Sequence, residues 1–332
     1  SMDAKITKKR LNIFLSYDWI KILLAAVAAI LVWSLIFTTA ATRVTQAQNF
    51  TIFNYTGTKG TSRFNSYSTL LREKNVFSYD ILEISSTDIT TGEQYSETLL
   101  QTRVSTGEGD ALFAANINEG VTTKYKDDQG NEFAPTYLEQ FLYGYHTAAA
   151  TFGEGGYLDQ MADYLNGYYQ GDYKTHTIDE QKVETDFRVR IKRLNDKRFK
   201  KESQIREGLK QEIQRIESYK TSLTSFLSYL EKGYVALQET TLYLQDLNGK
   251  PLTRTDYYSI NLCPNEKMED LKKDVCYYKT ITDEDGEKKI ASAENVCLVL
   301  MDLAEEKYSY SRFEGLSFVN YLVETHCSDL NA

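Results

Sequence analysis

Residues 19–41 (WIKILLAAVAAILVWSLIFTTAA) constrain this chain more than any other stretch, because from Ile22 to Ala41 no side chain is charged. About twenty apolar residues form a helix of roughly 30 Å, the hydrocarbon thickness of a bilayer. In hydrocarbon, backbone amides find partners only inside a helix or a closed barrel, so the run predicts a transmembrane helix. Both tryptophans, Trp19 and Trp33, lie in it, and Trp19 stands where an interfacial anchor belongs. The alternative, a buried core helix, is rarely apolar on every side.

Lys5, Lys8, Lys9, Arg10 and Lys21 precede or open the run, whereas only Arg43 follows it before Lys59. Positive side chains mark the cytoplasmic side. The expectation is therefore a single-pass plasma-membrane protein with a cytoplasmic tail (residues 1–18), a tether (residues 42–48) and an extracellular remainder. A cleavable signal would have an apolar core of about 7–15 residues and a small-residue cleavage site. This run is longer, and Thr39-Ala40-Ala41 and Thr45-Gln46-Ala47 are poor sites, which favours an uncleaved signal-anchor. A net charge of −9 argues against a nucleic-acid partner, whose footprint is basic.

The four cysteines, Cys263, Cys276, Cys297 and Cys327, all come late in the chain, on the side where disulfides persist. Of the three connectivities, pairing neighbours in sequence (Cys263–Cys276 and Cys297–Cys327) is the simplest, with unpaired structural thiols as the alternative. No C-x-x-C occurs and His146, His176 and His326 are scattered, so no metal site and no cofactor are expected.

Beyond the tether, residues 49–55 (NFTIFNY) and 78–85 (SYDILEIS) have the composition of strands, and residues 111–115 (ALFAA) read as a short buried one. Between them, residues 62–74 and 95–105 carry apolar side chains at helical spacing. Strands alternating with helices predict βαβ units and a parallel sheet over residues 49–134. Residues 135–173 read as short Tyr-rich helices joined by glycines, and residues 179–247 as long helices without a proline. The helical part as a whole occupies residues 135–248. In it Ile205, Leu209, Ile213, Ile216, Leu223, Phe226, Leu227 and Leu230 form one apolar stripe. Glu184–Arg188, Asp186–Arg190, Asp196–Lys200 and Glu202–Arg206 are candidate i,i+4 pairs. A hairpin of two antiparallel helices satisfies this pattern, and Gly233 can mark a bend into another helix. Residues 249–332 return as strands (256–262 and 275–282), a hairpin turn at 282–287 and two closing helices (293–306 and 312–325). The acidic turn lacks an EF-hand's third acidic position and distal Glu.

The succession of first strand, helix, YDILEI strand, helix, Gly-rich turn and Gly109-Asp110 before an apolar strand resembles the first lobe of extracellular solute-binding proteins of ABC importers. Residues 257–262 (YYSINL) and 313–322 (FEGLSFVNYL) resemble that family's return strand and late helix. The segment DKRFKKESQIREGLKQEIQRIESYK is similar to membrane-anchored, uncharacterised members of Gram-positive bacteria. The resemblance implies an α/β fold of the type 2 periplasmic-binding-protein kind, with an enlarged long-helix or hairpin part. It also implies a non-enzymatic protein that captures a small solute, a sugar or peptide, for a membrane transporter. By position at strand ends, Tyr55, Thr56, Ser86 and Asn116 are its candidate ligand-binding residues; each also fits an ordinary turn or cap.

G-x-S-x-G, H-E-x-x-H, P-loop and G-x-G-x-x-G motifs are all absent, so no catalytic residues are expected. A second class of function, a scaffold docking a membrane or surface complex through its long helices, fits the permanent tether and the expanded helices. Its basic side comprises Arg188, Arg190, Lys192, Arg193, Lys197, Arg198, Lys200 and Lys201. A receptor requires a cleft that closes; a scaffold requires a filled interface and an exposed helical patch.

Overall fold

The computed structural model describes residues 23–24, 26–33, 44–90 and 93–332. The chain divides into two units, one ending at Arg43 and one spanning Val44–Ala332. In the first, residues 23–24 and 26–33 are helical. No helix among the described residues is long and apolar enough to cross a membrane. The expected span at residues 19–41 falls largely outside the described residues, as do the tail (1–18) and the start of the tether (42–43).

The second unit opens with β1 (Asn49–Asn54), the two-residue β2 (Lys59–Gly60), α1 (Tyr67–Glu73), β3 (Glu83–Asp88), α2 (Gln94–Ser105) and β4 (Ala111–Ala115). Strands β3 and β4 flank β1, both parallel to it. All five β4 residues are buried because the sheet is covered on both faces. Ala111, Phe113 and Ala115 face one apolar layer with Tyr67 and Leu71 of α1; Leu112 and Ala114 face the other, with Leu100 of α2. The two crossover helices thus lie on opposite faces, as doubly wound sheets require.

A small hairpin of β5 (Tyr125–Lys126) and β6 (Glu132–Phe133) leads to α3 (Tyr137–Tyr145) and α4 (Tyr157–Asn166). Thr136 caps α3, accepting from the Glu139 amide at 3.1 Å while Glu139 accepts from the Thr136 amide at 2.6 Å. The expected hairpin follows as α5 (Glu180–Arg193) and α6 (Glu202–Glu231). Gly208 lets them meet: a Cβ there would stand 2.4 Å from the Phe199 ring and 2.8 Å from that of Phe187. Of the predicted stripe, Ile216, Leu223 and Phe226 are buried and Leu209, Ile213 and Leu230 are partly so, packing inward, whereas Leu227, one position past Phe226 and so turned off that face, is exposed.

Gly233 (φ +68) ends the hairpin, but a strand follows rather than another helix. This β7 (Ala236–Gln245) pairs antiparallel with β8 (Pro251–Asn261). After a 3-10 turn at Glu266–Lys273 come β9 (Val275–Asp283), β10 (Gly286–Ser292), β11 (Val296–Leu300) and α7 (Glu314–His326). The expected helix at residues 293–306 is not formed; strand β11 occupies its middle, where Val296, Leu298 and Leu300 enter one core layer and Cys297 and Val299 the other. The main sheet runs β3-β1-β4-β11-β8-β7, parallel in its first three strands and antiparallel after β4. Over β1, β3 and β4 it is the parallel sheet expected; the later strands β11, β8 and β7 make the whole sheet mixed. Strand β9 bridges β10 and β2 in a second sheet.

Phe318 of α7 anchors the larger layer, with its ring centroid 5.7–6.4 Å from those of Phe50, Tyr67, Phe77 and Phe113. All four cysteines are buried free thiols, so the expected Cys263–Cys276 and Cys297–Cys327 bridges are not formed. Cys297 and Cys327 sit in the two different layers, with the sheet between them. Burial pushes the Cys263 thiol up to about 11 and that of Cys297 up to about 12.

Candidate functional site

In a doubly wound sheet a ligand enters at the carboxyl ends of the strands, where the winding reverses. That place lies between β1 and β4, and it brings together Tyr55, Thr56 and Asn116 of the expected residues. It is filled. The Tyr55 amide donates to the Phe113 carbonyl at 2.9 Å, and the Thr58 hydroxyl donates to the Tyr55 carbonyl at 2.7 Å. Tyr137 covers the turn so closely that a Cβ on Gly57 would meet its ring at 2.4 Å. Tyr55 itself is buried, packed edge-on against Phe141 at 5.5 Å, and its phenol titrates above its ordinary range through burial. The Thr56 hydroxyl donates to the Ile89 carbonyl at 3.3 Å, and the Asn116 amide to the Asn295 carbonyl at 2.9 Å. Ser86 lies inside β3 rather than after it, because the strand starts late. Its hydroxyl lies 3.5 Å from the Phe64 carbonyl. Each of the four makes a local contact of this kind.

The opposite ends of β1 and β4 enclose a polar cavity of about 40 Å³, lined among others by Gln46, Asn49, Asp110, Arg312 and Glu314. Gln46 Oε1, Asn49 Oδ1 and Arg312 Nε are buried there without a hydrogen-bond partner. Asp110 takes the Thr51 amide at 2.8 Å; as a residue it keeps some surface, yet its carboxyl is enclosed, and burial pushes it up to about 7. Burial likewise raises Glu314, which accepts from the Tyr219 hydroxyl at 2.9 Å and from the Ser78 amide and hydroxyl. Ligand pockets run to about 300–1,000 Å³, so this volume suits water, not a sugar or peptide.

Beside this cavity a buried charge network of the helical hairpin joins it to the rest of the unit through Tyr79, Tyr164 and Tyr310. Glu212 of α6 accepts a two-pronged contact from Arg190 of α5 at 2.6 and 2.7 Å, another from Arg215 at 2.5 and 3.1 Å, and the Tyr79 hydroxyl at 2.9 Å. Burial opposes ionisation of Glu212, but the two guanidiniums outweigh it and hold the carboxyl below its usual range. The fully buried Arg215 also donates to the Tyr164 hydroxyl at 2.6 Å and to the Tyr310 carbonyl, and Arg190 lies 3.9 Å over the Tyr310 ring. At the hairpin's turn Arg198 pairs with Asp80, which also accepts from the Tyr310 hydroxyl at 2.7 Å.

This network redirects two of the four expected helix-surface pairs. Glu184–Arg188 forms at 2.7 Å and Glu202–Arg206 at 3.8 Å. Arg190, however, leaves Asp186 (held by Lys182 at 3.0 Å) for Glu212, and Asp196 takes Arg198 in place of Lys200. Of the predicted basic side, Arg190 and Arg198 therefore point inward, while Lys192, Arg193, Lys197, Lys200 and Lys201 stay exposed. Lys192, Lys197 and Lys200 line a groove of about 350 Å³ whose apolar floor includes Ile191, Phe199 and Ile205. A polar groove of about 600 Å³ lies between α6 and α7, where the buried Asn320 Oδ1 has no partner.

No protein-family model, curated protein or solved structure matches this chain.

Proposed function

We propose that this chain is a membrane-anchored, non-enzymatic docking module whose helical hairpin is a fixed arm on an α/β body. The observation that carries this reading is the buried Arg190–Glu212–Arg215 network, which joins the hairpin to the body through Tyr79, Tyr164 and Tyr310. Arg190, Glu212 and Arg215 all belong to the hairpin, so a lobe closing on a solute would have to break the hydrogen bonds from this network to Tyr79, Tyr164 and the Tyr310 carbonyl, together with the Arg198–Asp80 pair, and hydrogen bonds to charged groups are worth about 1.5–3 kcal/mol each. The filled strand-end crevice supports the same conclusion. Membrane attachment rests on the uncharged run from Ile22 to Ala41.

A second reading, capture of a small polyhydroxy solute or peptide for an importer in the type 2 periplasmic-binding-protein manner, draws on one observation. The groove between α6 and α7 has the volume of a ligand pocket, is lined by Ser218, Thr221 and Ser225, and contains the unpartnered carbonyl of Asn320. A thermal-shift screen of residues 44–332 against sugars, amino acids and peptides separates the two. Solute at one hundred times its dissociation constant stabilises by about 2.7 kcal/mol. The docking reading expects no shift; a reproducible shift with one solute class overturns it in favour of capture.

A further inference from the structure

We propose that the turn of the α5–α6 hairpin is a docking site for the anionic phosphate headgroups of a lipid bilayer. Lys192, Lys197, Lys200 and Lys201 are exposed and make no ion pair among the described residues. Nearby carboxylates are already taken, Asp196 by Arg198 and Glu202 by Arg188 and Arg206, so these lysines keep their charge for an outside partner. The chain as a whole carries −9, which makes a local cluster of free cations stand out from its own surroundings. Between Lys192, Lys197 and Lys200, Phe199, Ile191 and Ile205 offer apolar floor, the combination of basic rim and apolar centre that suits the headgroup–acyl boundary.

The position of this turn selects the occupant. Arg198 of the turn holds Asp80, and two residues on, the Leu82 amide donates to the Gln48 carbonyl at 2.7 Å. Arg193 donates to the Lys307 carbonyl at 3.0 Å, in the 3-10 segment Glu306–Ser311 that packs on Gln46–Gln48. The free lysines therefore lie at the end of the domain where the chain enters from its uncharged run. The uncharged run ends at Ala41, three residues before this unit begins at Val44, so the membrane attachment proposed above would keep a bilayer within reach of this end.

The inference rests on the membrane attachment proposed above, and its test omits residues 1–43 so that failed anchoring and failed headgroup contact are distinguishable. The unit Val44–Ala332 is compact and contains both apolar layers. Its flotation with phosphatidylcholine vesicles, with and without phosphatidylglycerol, is measured at low and high salt. Binding is expected only with phosphatidylglycerol and is expected to fall with salt. Replacing Lys192, Lys197, Lys200 and Lys201 together by Gln lowers partitioning by about five-fold per lysine, with unchanged thermal unfolding. Equal binding to neutral vesicles, no phosphatidylglycerol-dependent binding, or undiminished binding of the quadruple variant overturns the proposal. So does binding to a soluble glycerol-phosphate polymer in preference to vesicles.

Discussion

Replacing Arg215 by Met tests the joint between hairpin and body. The side chain is fully buried and donates to Glu212, the Tyr164 hydroxyl and the Tyr310 carbonyl. Removing one member of a buried ion pair costs about 3–5 kcal/mol, because the partner charge stays behind without its counter-ion. Glu212 keeps Arg190 and Tyr79, so the lower end, about 3 kcal/mol, is expected. At about 2.1 cal/mol/K of unfolding entropy per residue, the unit's unfolding entropy is about 0.6 kcal/mol/K, and the melting temperature falls by about 5 °C. Thermal unfolding of residues 44–332 followed by circular dichroism measures it. Tyr164→Phe and the double variant complete a cycle across the joint in which the two losses are non-additive by about 0.5 kcal/mol or more. An Arg215→Met protein melting within about 1 °C of the parent, or strictly additive losses, refutes the claim that this network fastens the hairpin.

Asp110 has a folded-state pKa raised by burial to about 7, so its contribution to stability is present below its ordinary value near 4 and is lost as pH rises through about 7. Asp110→Asn removes that dependence: its melting temperature relative to the parent rises between pH 4 and pH 8, and a constant difference contradicts the assignment. Phe318→Ala, which empties the centre of four aromatic contacts, destabilises by about 3–5 kcal/mol in urea unfolding. Gly57→Ala combines a φ of +91 with a Cβ 2.4 Å from the Tyr137 ring, so a loss of about 2 kcal/mol or more is expected. Alkylation after denaturation without reductant labels all four cysteines, whereas native protein at neutral pH reacts slowly because burial raises the thiols of Cys263, Cys276 and Cys297; two unlabelled pairs after denaturation contradict the free-thiol state.

The first half of the sheet is legible in the sequence because each element has one clear period or a fully apolar run. Strand β1, helix α2 and strand β4 fall where residues 49–55, 95–105 and 111–115 indicate them. The later misreadings have physical causes. Residues 296–300 (VCLVL) are apolar throughout, and such a run does not distinguish a two-sided strand from a buried helix. Residues 236–245 follow a 30-residue helix with no proline between, and only the positive φ at Gly233 announces the change to β7. Strand β3 begins at Glu83, not Ser78, because Ser78 and Asp80 turn their polar groups toward Glu314, Arg198 and Tyr310. The joint itself was hidden: Arg190 and Glu212 are 22 residues apart, and Glu212–Arg215 has the spacing of an ordinary surface pair. A signal was nonetheless present in Tyr219, a polar-tipped aromatic four residues after Arg215 and so on the same face of α6.

Native-state hydrogen exchange of residues 44–332 tests the fixed-arm reading most directly. If the Arg190–Glu212–Arg215 joint holds the hairpin to the body, the buried-face amides of α6 around Ile216 and Leu223 exchange only with global unfolding, at the same free energy as those of β4 and β11. Exchange of the whole hairpin through a separate opening several kcal/mol below the global value would contradict the account, since that is the behaviour of a hinged lobe.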